Sequence, residues 1–334
     1  MTLHLLLIGG VAAALLCTVL TGLMLWSGLA WRVVDTPNER SSHTRPTPRI
    51  GGAILMVSAF AVLAFLPVGV LWPALIPAAA LAVLSFWDDV RSLTARTRFG
   101  GHLLAAIAVV LLYPVQPLWL AVPLVLFLIW LTNLYNFMDG IDGIAGGMAL
   151  FGFGAYAAAA WIGGNAPLAL VAMVLTGAAI GFLIFNFAPA RIFMGDAGAI
   201  PLGFLAALLG YLGYREGTWP WWFALLVFSP FIVDATITLL RRLQAGEKVW
   251  AAHRSHYYQR MSQSSFGHRG TTLCWYLLMA AAAGSALWLR TASFMIVGAA
   301  ALTWITVYLV LLLWIDRRWP RHTVRLVRGA EIVD

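Results

Sequence analysis

Charged residues are scarce in this chain: they make up 10% of its 334 residues, whereas 62% are hydrophobic. Water-soluble domains carry roughly 25% charged residues, so the composition excludes an ordinary soluble globular protein. Cysteine is also scarce, because Cys17 and Cys274 are the only two and both lie in apolar runs. This excludes a disulfide or metal–thiolate scaffold. A polytopic membrane protein remains.

Long apolar runs separated by charged, Pro or Gly residues fill most of the sequence. A transmembrane helix needs about 20 predominantly apolar residues. The runs therefore predict an all-α, polytopic integral membrane protein with about eleven transmembrane helices, and no separate soluble segment is visible in residues 1–334. The predicted spans are Leu5–Trp31, Ile50–Leu66, Val68–Trp87, His102–Tyr113, Pro117–Thr132, Gly146–Ile162, Pro167–Phe187, Gly198–Tyr214, Trp219–Leu240, Thr271–Leu289 and Ala292–Ile315.

The distribution of positive charge predicts the orientation of these spans. With the N-terminus outside and the C-terminus in the cytoplasm, only Arg215 and Arg290 of the 21 Lys and Arg residues face outward. Positive residues concentrate in cytoplasmic loops of membrane proteins. The same assignment requires a break at Pro114–Pro117, since removing it would invert every later loop and mix the charges. The net charge of +8 thus reflects membrane topology, and no nucleic-acid partner is expected.

The 13 acidic residues carry most of the functional information. Carboxylates at a bilayer are costly and usually face a cavity, an ion or a partner. On the predicted topology only Glu216 is external, and Asp234 lies inside the ninth span. Two simpler interpretations stay open: Asp88 and Asp89 could form a solvated helix end, and Asp196 could be a helix N-cap. Five carboxylates are expected to converge on one cytoplasm-facing cleft: Asp88, Asp89, Asp139, Asp142 and Asp196.

Residues 133–143 combine oxygen-bearing side chains with glycine. On helical backbone, side chains three residues apart share roughly one face, and Gly140 and Gly143 let backbone and ligand approach closely. Carboxylate and amide oxygens favour Mg²⁺, which shares the phosphates of a bound nucleotide. The four side chains with this spacing are Asn133, Asn136, Asp139 and Asp142.

Two cytoplasmic loops add positive charge. The loop that contains His253, Arg254 and His256 is either a basic membrane-surface segment or an anion clamp, because guanidinium and imidazole donors suit phosphate oxygens. A zinc site is disfavoured, since no further Cys or His lies close by in sequence. The first loop, Arg45–Gly52, is basic and rich in proline. The loops together indicate a membrane enzyme that transfers a phosphate-bearing group to or from a lipid.

These segments resemble, in order, the motifs of the polyprenyl-phosphate N-acetylhexosamine-1-phosphate transferases, glycosyl transferase family 4. The resemblance extends from Asp35 to about Arg260. Eleven spans and the sequence His-Arg-Ser-His-Tyr-Tyr from residue 253 are similar to the O-antigen-initiating branch, including enzymes that use UDP-FucNAc or UDP-QuiNAc. The motifs are Arg45–Gly52, Asp88-Asp89 with Leu93–Arg96, Asn133–Gly143, Phe193–Asp196 and the His253/His256 loop.

The resemblance implies a single transmembrane catalytic domain that transfers an N-acetylhexosamine 1-phosphate from a UDP-sugar to undecaprenyl phosphate and releases UMP. It further implies Mg²⁺, with Mn²⁺ as an alternative, in the bacterial cytoplasmic (inner) membrane. By this resemblance, the acid pair and Arg98 lie near the lipid phosphate. The implied roles are catalysis for Asp88 and Asp89; metal binding for Asn136 and Asp196; nucleotide binding for Asn133, Asp139, Asp142 and Phe193; and phosphate or sugar binding for Arg45, Arg98, His253, Arg254 and His256.

The remaining choices stay open at the level of sequence. The partners implied are undecaprenyl phosphate, a UDP-N-acetylhexosamine and membrane lipids, and a homodimer is one option for the assembly state. Either acid of the pair could serve as base, and an aspartyl-phosphate route is the minority mechanism. A secondary transporter with a cytoplasm-facing acidic site, or a phosphotransferase with another nucleotide donor, are the alternative functions.

Overall fold

A computed structural model describes residues 3–37, 45–248 and 253–319 of the chain. Residues 320–334, predicted to be cytoplasmic, lie outside these ranges. The described residues form thirteen α-helices: α1 Leu3–Trp26, α2 Gly51–Leu63, α3 Trp72–Arg91, α4 Ala95–Leu112, α5 Ala121–Phe137, α6 Ile144–Ile162, α7 Ala166–Asn186, α8 Asp196–Arg215, α9 Phe223–Val227, α10 Ser229–Gln244, α11 Tyr257–Ser262, α12 Gly267–Leu289 and α13 Phe294–Arg318.

The all-α, polytopic membrane fold predicted from the sequence is confirmed. Within the described ranges, nine helices are long and apolar enough to cross a membrane. The break predicted at Pro114–Pro117 is also present, because α4 ends at Leu112 and α5 begins at Ala121. Two predicted spans correspond to shorter elements: α2 has 13 residues, and the segment Trp219–Leu240 is divided between α9 and α10. The total of eleven spans and their orientation stay predictions.

Helix α8 lies at the centre of the bundle. It packs against α2, α3 and α5, and its residues from Ala197 to Gly213 are buried. Glycine and alanine along α8 allow these neighbours to approach closely, since neither carries a bulky side chain. The N-terminus of α8, with Asp196 as its first residue, is therefore surrounded by three other helices.

A short β-hairpin-like pairing precedes α2. Strand β1, Val34–Asp35, pairs antiparallel with strand β2, Thr47–Pro48, and Val34 lies opposite Pro48. The chain continues from β2 into α2 at Gly51. This pairing holds the first loop against the end of the bundle where α8 begins, because the backbone of residues 48–52 also bonds to residues 193 and 194.

Candidate active site

A cleft of about 320 Å³ opens between α3, α4, α5 and α8. Its walls are mixed, because carboxylate, amide and guanidinium groups share it with aliphatic and aromatic side chains. Such a lining suits a ligand with a polar head and an apolar body. The lining residues are Leu84, Ser85, Asp88, Ala95, Arg98, Phe99, His102, Asn133, Asn136, Phe137, Asp196 and Ile200.

Asp88 and Asp196 face each other across this cleft through Arg98. The Nη1 atom of Arg98 lies 3.3 Å from Oδ2 of Asp88 and 3.9 Å from Oδ2 of Asp196. Asp88 also accepts a hydrogen bond of 2.6 Å from the backbone N–H of Leu93. One guanidinium from α4 thus bridges carboxylates of α3 and α8, which holds two acids close together in one cleft.

Asp89, the other member of the acid pair, does not line the cleft. Its side chain is 1% exposed and pairs with Arg49. The carboxylate also accepts hydrogen bonds from the backbone N–H groups of Asp196, at 3.2 Å, and Ala197, at 2.9 Å. It therefore caps the N-terminus of α8, where a negative charge is favourable. The two adjacent acids therefore have different surroundings, and Asp89 holds the backbone at Asp196.

The first loop supports the segment that leads into α8. The N–H of Phe193 donates to the carbonyl of Pro48 at 2.7 Å. In return, the N–H of Gly51 donates to the carbonyl of Phe193 at 3.0 Å, and the N–H of Gly52 donates to the carbonyl of Met194 at 2.8 Å. Gly195 has φ 71°, and a Cβ there would lie 2.6 Å from the carbonyl oxygen of Arg49. The glycines of both motifs therefore serve a close backbone contact behind the cleft.

Replacing Gly52 with alanine is expected to disturb the cleft through α8. A Cβ at this position would lie closer to the backbone of Gly198 than van der Waals contact allows, so α2 and α8 must separate. Overpacking of this kind costs about 1–3 kcal/mol. We expect a lower midpoint of thermal unfolding in detergent and lower enzymatic activity. Gly284→Ala in α12, where a Cβ meets nothing within 4 Å, is the matched control, and equal midpoints for the two variants would contradict this account.

Residues 133–143 divide between two positions. Helix α5 ends at Phe137, so Asn133 and Asn136 lie in its last turns and line the cleft. Asp139 and Asp142 follow in a turn, and the helical face predicted for all four side chains therefore continues only to Asn136.

Asp142 faces α12 and the segment before α8. Its Oδ2 accepts from the N–H of Ala190 at 3.0 Å, and its Oδ1 lies 3.1 Å from Nδ1 of His268. Asn186 was not predicted as a site residue, yet its Oδ1 accepts from the N–H of Gly143 and its Nδ2 donates to the carbonyl of Ile192. The sequence feature that could have identified Asn186 is an amide side chain at the end of an apolar run.

Asp139 lies in an electronegative environment. Burial, and then the negative charges of Asp196 and Asp89, raise the pKa of its carboxyl to about 7. Arg49 acts in the opposite direction but does not cancel these effects. The neighbouring carboxylates thus add to the effect of burial on Asp139, and a nearby positive charge would act in the opposite direction.

The loop with His253, Arg254 and His256 is tied to the bundle through Asp234. The carboxylate of Asp234 accepts hydrogen bonds of 2.9 Å from the N–H groups of both Tyr257 and Tyr258, and it lies 3.2 Å from Nδ1 of His256. The hydroxyl of Tyr258 donates to the carbonyl of Phe137 at 3.0 Å. Asp234 thus caps α11 and places it beside the end of α5.

The predicted site residues therefore fall into groups. One group lines the cleft and consists of Asp88, Arg98, Asn133, Asn136 and Asp196. Asp89 does not line the cleft but accepts a hydrogen bond from the backbone N–H of Asp196. The other residues predicted for nucleotide, phosphate or sugar binding lie outside the cleft lining: Arg45, Asp139, Asp142, Phe193, His253, Arg254 and His256. Phe193 is nevertheless close by, since it precedes Asp196 by three residues.

Comparison with known proteins identifies the family. The model of glycosyl transferase family 4 matches residues 71–214, which contain the whole cleft. A probable undecaprenyl-phosphate N-acetylglucosaminyl 1-phosphate transferase of Bacillus subtilis is 29% identical over 84% of this chain and 81% of its own length. A decaprenyl-phosphate N-acetylglucosaminephosphotransferase of Mycobacterium tuberculosis is 30% identical over 80% and 78%. A phospho-N-acetylmuramoyl-pentapeptide-transferase of Levilactobacillus brevis is 28% identical over 64% and 76%. By these similarities, the chain with the cleft described above belongs to glycosyl transferase family 4.

Proposed function

We propose that this protein transfers an N-acetylhexosamine 1-phosphate from a UDP-sugar to undecaprenyl phosphate and releases UMP. The observation that carries the proposal is the convergence of Asp88, Arg98, Asn136 and Asp196, from four helices, on one cleft that is also lined by apolar side chains. Phosphoryl transfer depends mainly on positioning and on neutralising negative charge. The similarity to an undecaprenyl-phosphate N-acetylglucosaminyl 1-phosphate transferase and to a decaprenyl-phosphate N-acetylglucosaminephosphotransferase supports the same class of reaction.

The oxygen donors of the cleft fit a magnesium ion. Mg²⁺ is usually held by one or two carboxylates and completes its coordination with water and substrate phosphates. Asn136 and Asp196 supply such oxygens, and the carboxylates of Asp88 and Asp196 share the one guanidinium of Arg98, which favours a further cation. Among the described residues, no group of three or more His, Cys, Asp or Glu is arranged to hold a metal. When bound, Mg²⁺ would neutralise charge on the donor diphosphate.

The residues of the cleft then have separate roles in one displacement reaction at the β-phosphorus of the donor. An oxygen of the acceptor phosphate bonds to the β-phosphorus of the UDP-sugar, and the bond from that phosphorus to the bridging oxygen breaks, so that UMP leaves with the electron pair. Arg98 holds the acceptor phosphate, and Asp88 accepts any proton that the attacking oxygen carries. Asp89 keeps Asp196 in place through the N-terminus of α8. The carboxylate of Asp89 is already bonded to Arg49 and to two backbone N–H groups. We therefore assign the role of base to Asp88.

The donor is proposed to lie beside the cleft. Asp142 and Phe193 bind the uridine, with the ring of Phe193 against the base, and Asn133 and Asp139 lie near the nucleotide. Arg45, His253, Arg254 and His256 contact the diphosphate or the sugar. The support is the placement of α11 next to the end of α5, which brings the basic loop close to residues 133–143.

The finer assignments follow the family resemblance. We propose that residues 1–334 form one catalytic unit in the bacterial inner membrane, with the cleft open to the cytoplasm, and that the reaction starts an O-antigen-type surface glycan. The sequence from His253 to Tyr258 supports UDP-FucNAc or UDP-QuiNAc as the donor, and UDP-GlcNAc is the third candidate. The predicted concentration of Lys and Arg on the cytoplasmic side supports the orientation.

A reconstituted assay tests this function. Purified protein with undecaprenyl phosphate, Mg²⁺ and a panel of UDP-N-acetylhexosamines should release UMP only when donor and acceptor are both present, and EDTA should stop the release. Nucleotide release from CDP-linked donors alone would support the phosphotransferase alternative. Substrate flux into liposomes that lack any lipid acceptor would instead support a transporter and overturn the proposal.

A further inference from the structure

Helix α4 presents a second polar side chain to the cleft, one turn beyond Arg98. The residues of α4 that line the cleft are Ala95, Arg98, Phe99 and His102, and this spacing of three, four and seven residues defines one helical face. His102 lies seven residues after the start of α4, which places it about 10 Å along the helix axis. It therefore occupies the deeper end of the α4 face.

His102 is buried and carries an unsatisfied ring nitrogen. The residue is 5% exposed, and its Nδ1 atom has no hydrogen-bond partner among the residues that the structure describes. Buried polar side chains are nearly always hydrogen-bonded, because an unpaired group loses its interaction with water without compensation. A buried imidazole on the wall of a substrate cleft is accounted for when the substrate supplies the missing partner.

The surroundings of His102 indicate which part of a substrate this is. Arg98 already contacts Asp88 and lies near Asp196, so its positive charge is shared with two carboxylates. A phosphate monoester brings several acceptor oxygens and needs a further donor. The cleft around His102 also contains the apolar side chains Leu84, Phe99 and Ile200, which suit a hydrocarbon chain.

We propose that His102 hydrogen-bonds the phosphate of the lipid acceptor and, with Arg98, forms a two-residue phosphate site on α4. This inference rests on the proposed function and adds to it an acceptor-binding residue. The imidazole holds the head group at the apolar end of the cleft, and Arg98 holds it toward Asp88. His102 is a binding residue in this account and transfers no proton.

Kinetics with the two substrates separately test the proposal. His102→Leu removes both ring nitrogens and keeps an apolar side chain of moderate size. We expect its KM for undecaprenyl phosphate to rise at least about tenfold, because a hydrogen bond to a charged group contributes about 1.5–3 kcal/mol. The KM for UDP-N-acetylglucosamine should stay within about twofold of wild type, since the same bond is absent from the donor. A rise in the donor KM alone, equal rises in both, or no change in either would overturn the proposal.

Amide replacements distinguish a lost hydrogen bond from a general packing defect. Asn carries an amide near the position of Nδ1, and Gln carries one near Nε2. At least one of His102→Asn and His102→Gln should bring the acceptor KM back to within about threefold of wild type; failure of both, together with recovery in His102→Phe, would show a packing role and overturn the proposal. Thr271→Val is the matched control, because the Thr271 hydroxyl is likewise buried without a partner among the described residues but lies on α12, and its KM values should not change.

Direct binding separates this inference from the proposed reaction. Purified protein without any nucleotide should bind radiolabelled undecaprenyl phosphate more tightly than undecaprenol, and His102→Leu should lose most of this difference. If His102→Leu is not recovered as a folded, monodisperse protein, His102→Phe provides the same comparison. Wild-type protein that prefers the phosphate but releases no UMP with any donor would contradict the proposed function alone. Preference for the phosphate that is unchanged in His102→Leu and His102→Phe would contradict the inference alone.

Discussion

Replacing Asp196 with Asn should lower kcat by about a thousandfold while the protein remains folded. The change keeps the size of the side chain but removes a negative charge that faces Arg98 and the cleft. A loss of about 4 kcal/mol of stabilisation for a bound cation and its diphosphate corresponds to three orders of magnitude in rate. UMP release from the purified variant, measured over a range of Mg²⁺ concentrations, gives kcat and the apparent affinity for the metal.

The control for this experiment lies at the opposite end of the same helix. Glu216 directly follows α8 and accepts a hydrogen bond from Asn165, about 30 Å from Asp196 along the helix axis. Glu216→Gln should leave turnover within about twofold of wild type, because exposed polar substitutions have small effects. Unchanged turnover in Asp196→Asn would refute the metal-binding role of Asp196 and with it the proposed placement of the diphosphate.

Replacing Asp88 or Asp89 with Asn should affect different properties, namely turnover for Asp88 and stability for Asp89. Asp88→Asn is expected to lower kcat by roughly a hundred- to ten-thousandfold, the usual range for loss of a general base, with little change in stability. Asp89→Asn should destabilise the protein by about 1.5–3 kcal/mol, because it weakens the charge-assisted hydrogen bonds that the buried Asp89 carboxylate makes to the partly exposed Arg49 and to the N-terminus of α8. Thermal unfolding in detergent and UMP release, measured on the same preparations, distinguish the two variants.

Arg49→Met is the companion variant for this comparison. It removes the partner of Asp89 and leaves Asp88 unchanged, so it should share the lower unfolding midpoint of Asp89→Asn. The interpretation fails if Asp89→Asn has the midpoint of wild type and no turnover, while Asp88→Asn remains active. That result would make Asp89 the base and Asp88 a structural residue.

The helices were predictable because their signal is local. Apolar runs of sufficient length and the Pro114–Pro117 break are visible within about 20 residues, and hydrocarbon burial requires helical backbone there. The acid pair was not resolvable in this way. Neighbouring residues on a helix point about 100° apart, so the separate surroundings of Asp88 and Asp89 depend on how α3 packs against α4 and α8.

Several contacts around the candidate site were not predicted because each joins distant parts of the chain. Asp234 was recognised as an intramembrane acid, but its partners at residues 256–258 lie more than 20 positions later. Asn186 and His102 are single polar residues within apolar segments, and such residues are common in membrane helices without any catalytic role. Their significance comes from the carbonyl, amide or cleft that each one faces, and only packing determines that.

The Asp234 cap has a consequence for how donor preference can change. One carboxylate in α10 accepts hydrogen bonds from the first backbone amides of α11 and contacts the ring of His256, so the start of α11 is anchored inside the bundle. Under the proposed placement of the donor, residues 253–255 then contact the sugar directly before this anchor. Chimaeras that exchange only these three positions and retain Asp234 should therefore change sugar selectivity and leave the membrane core intact.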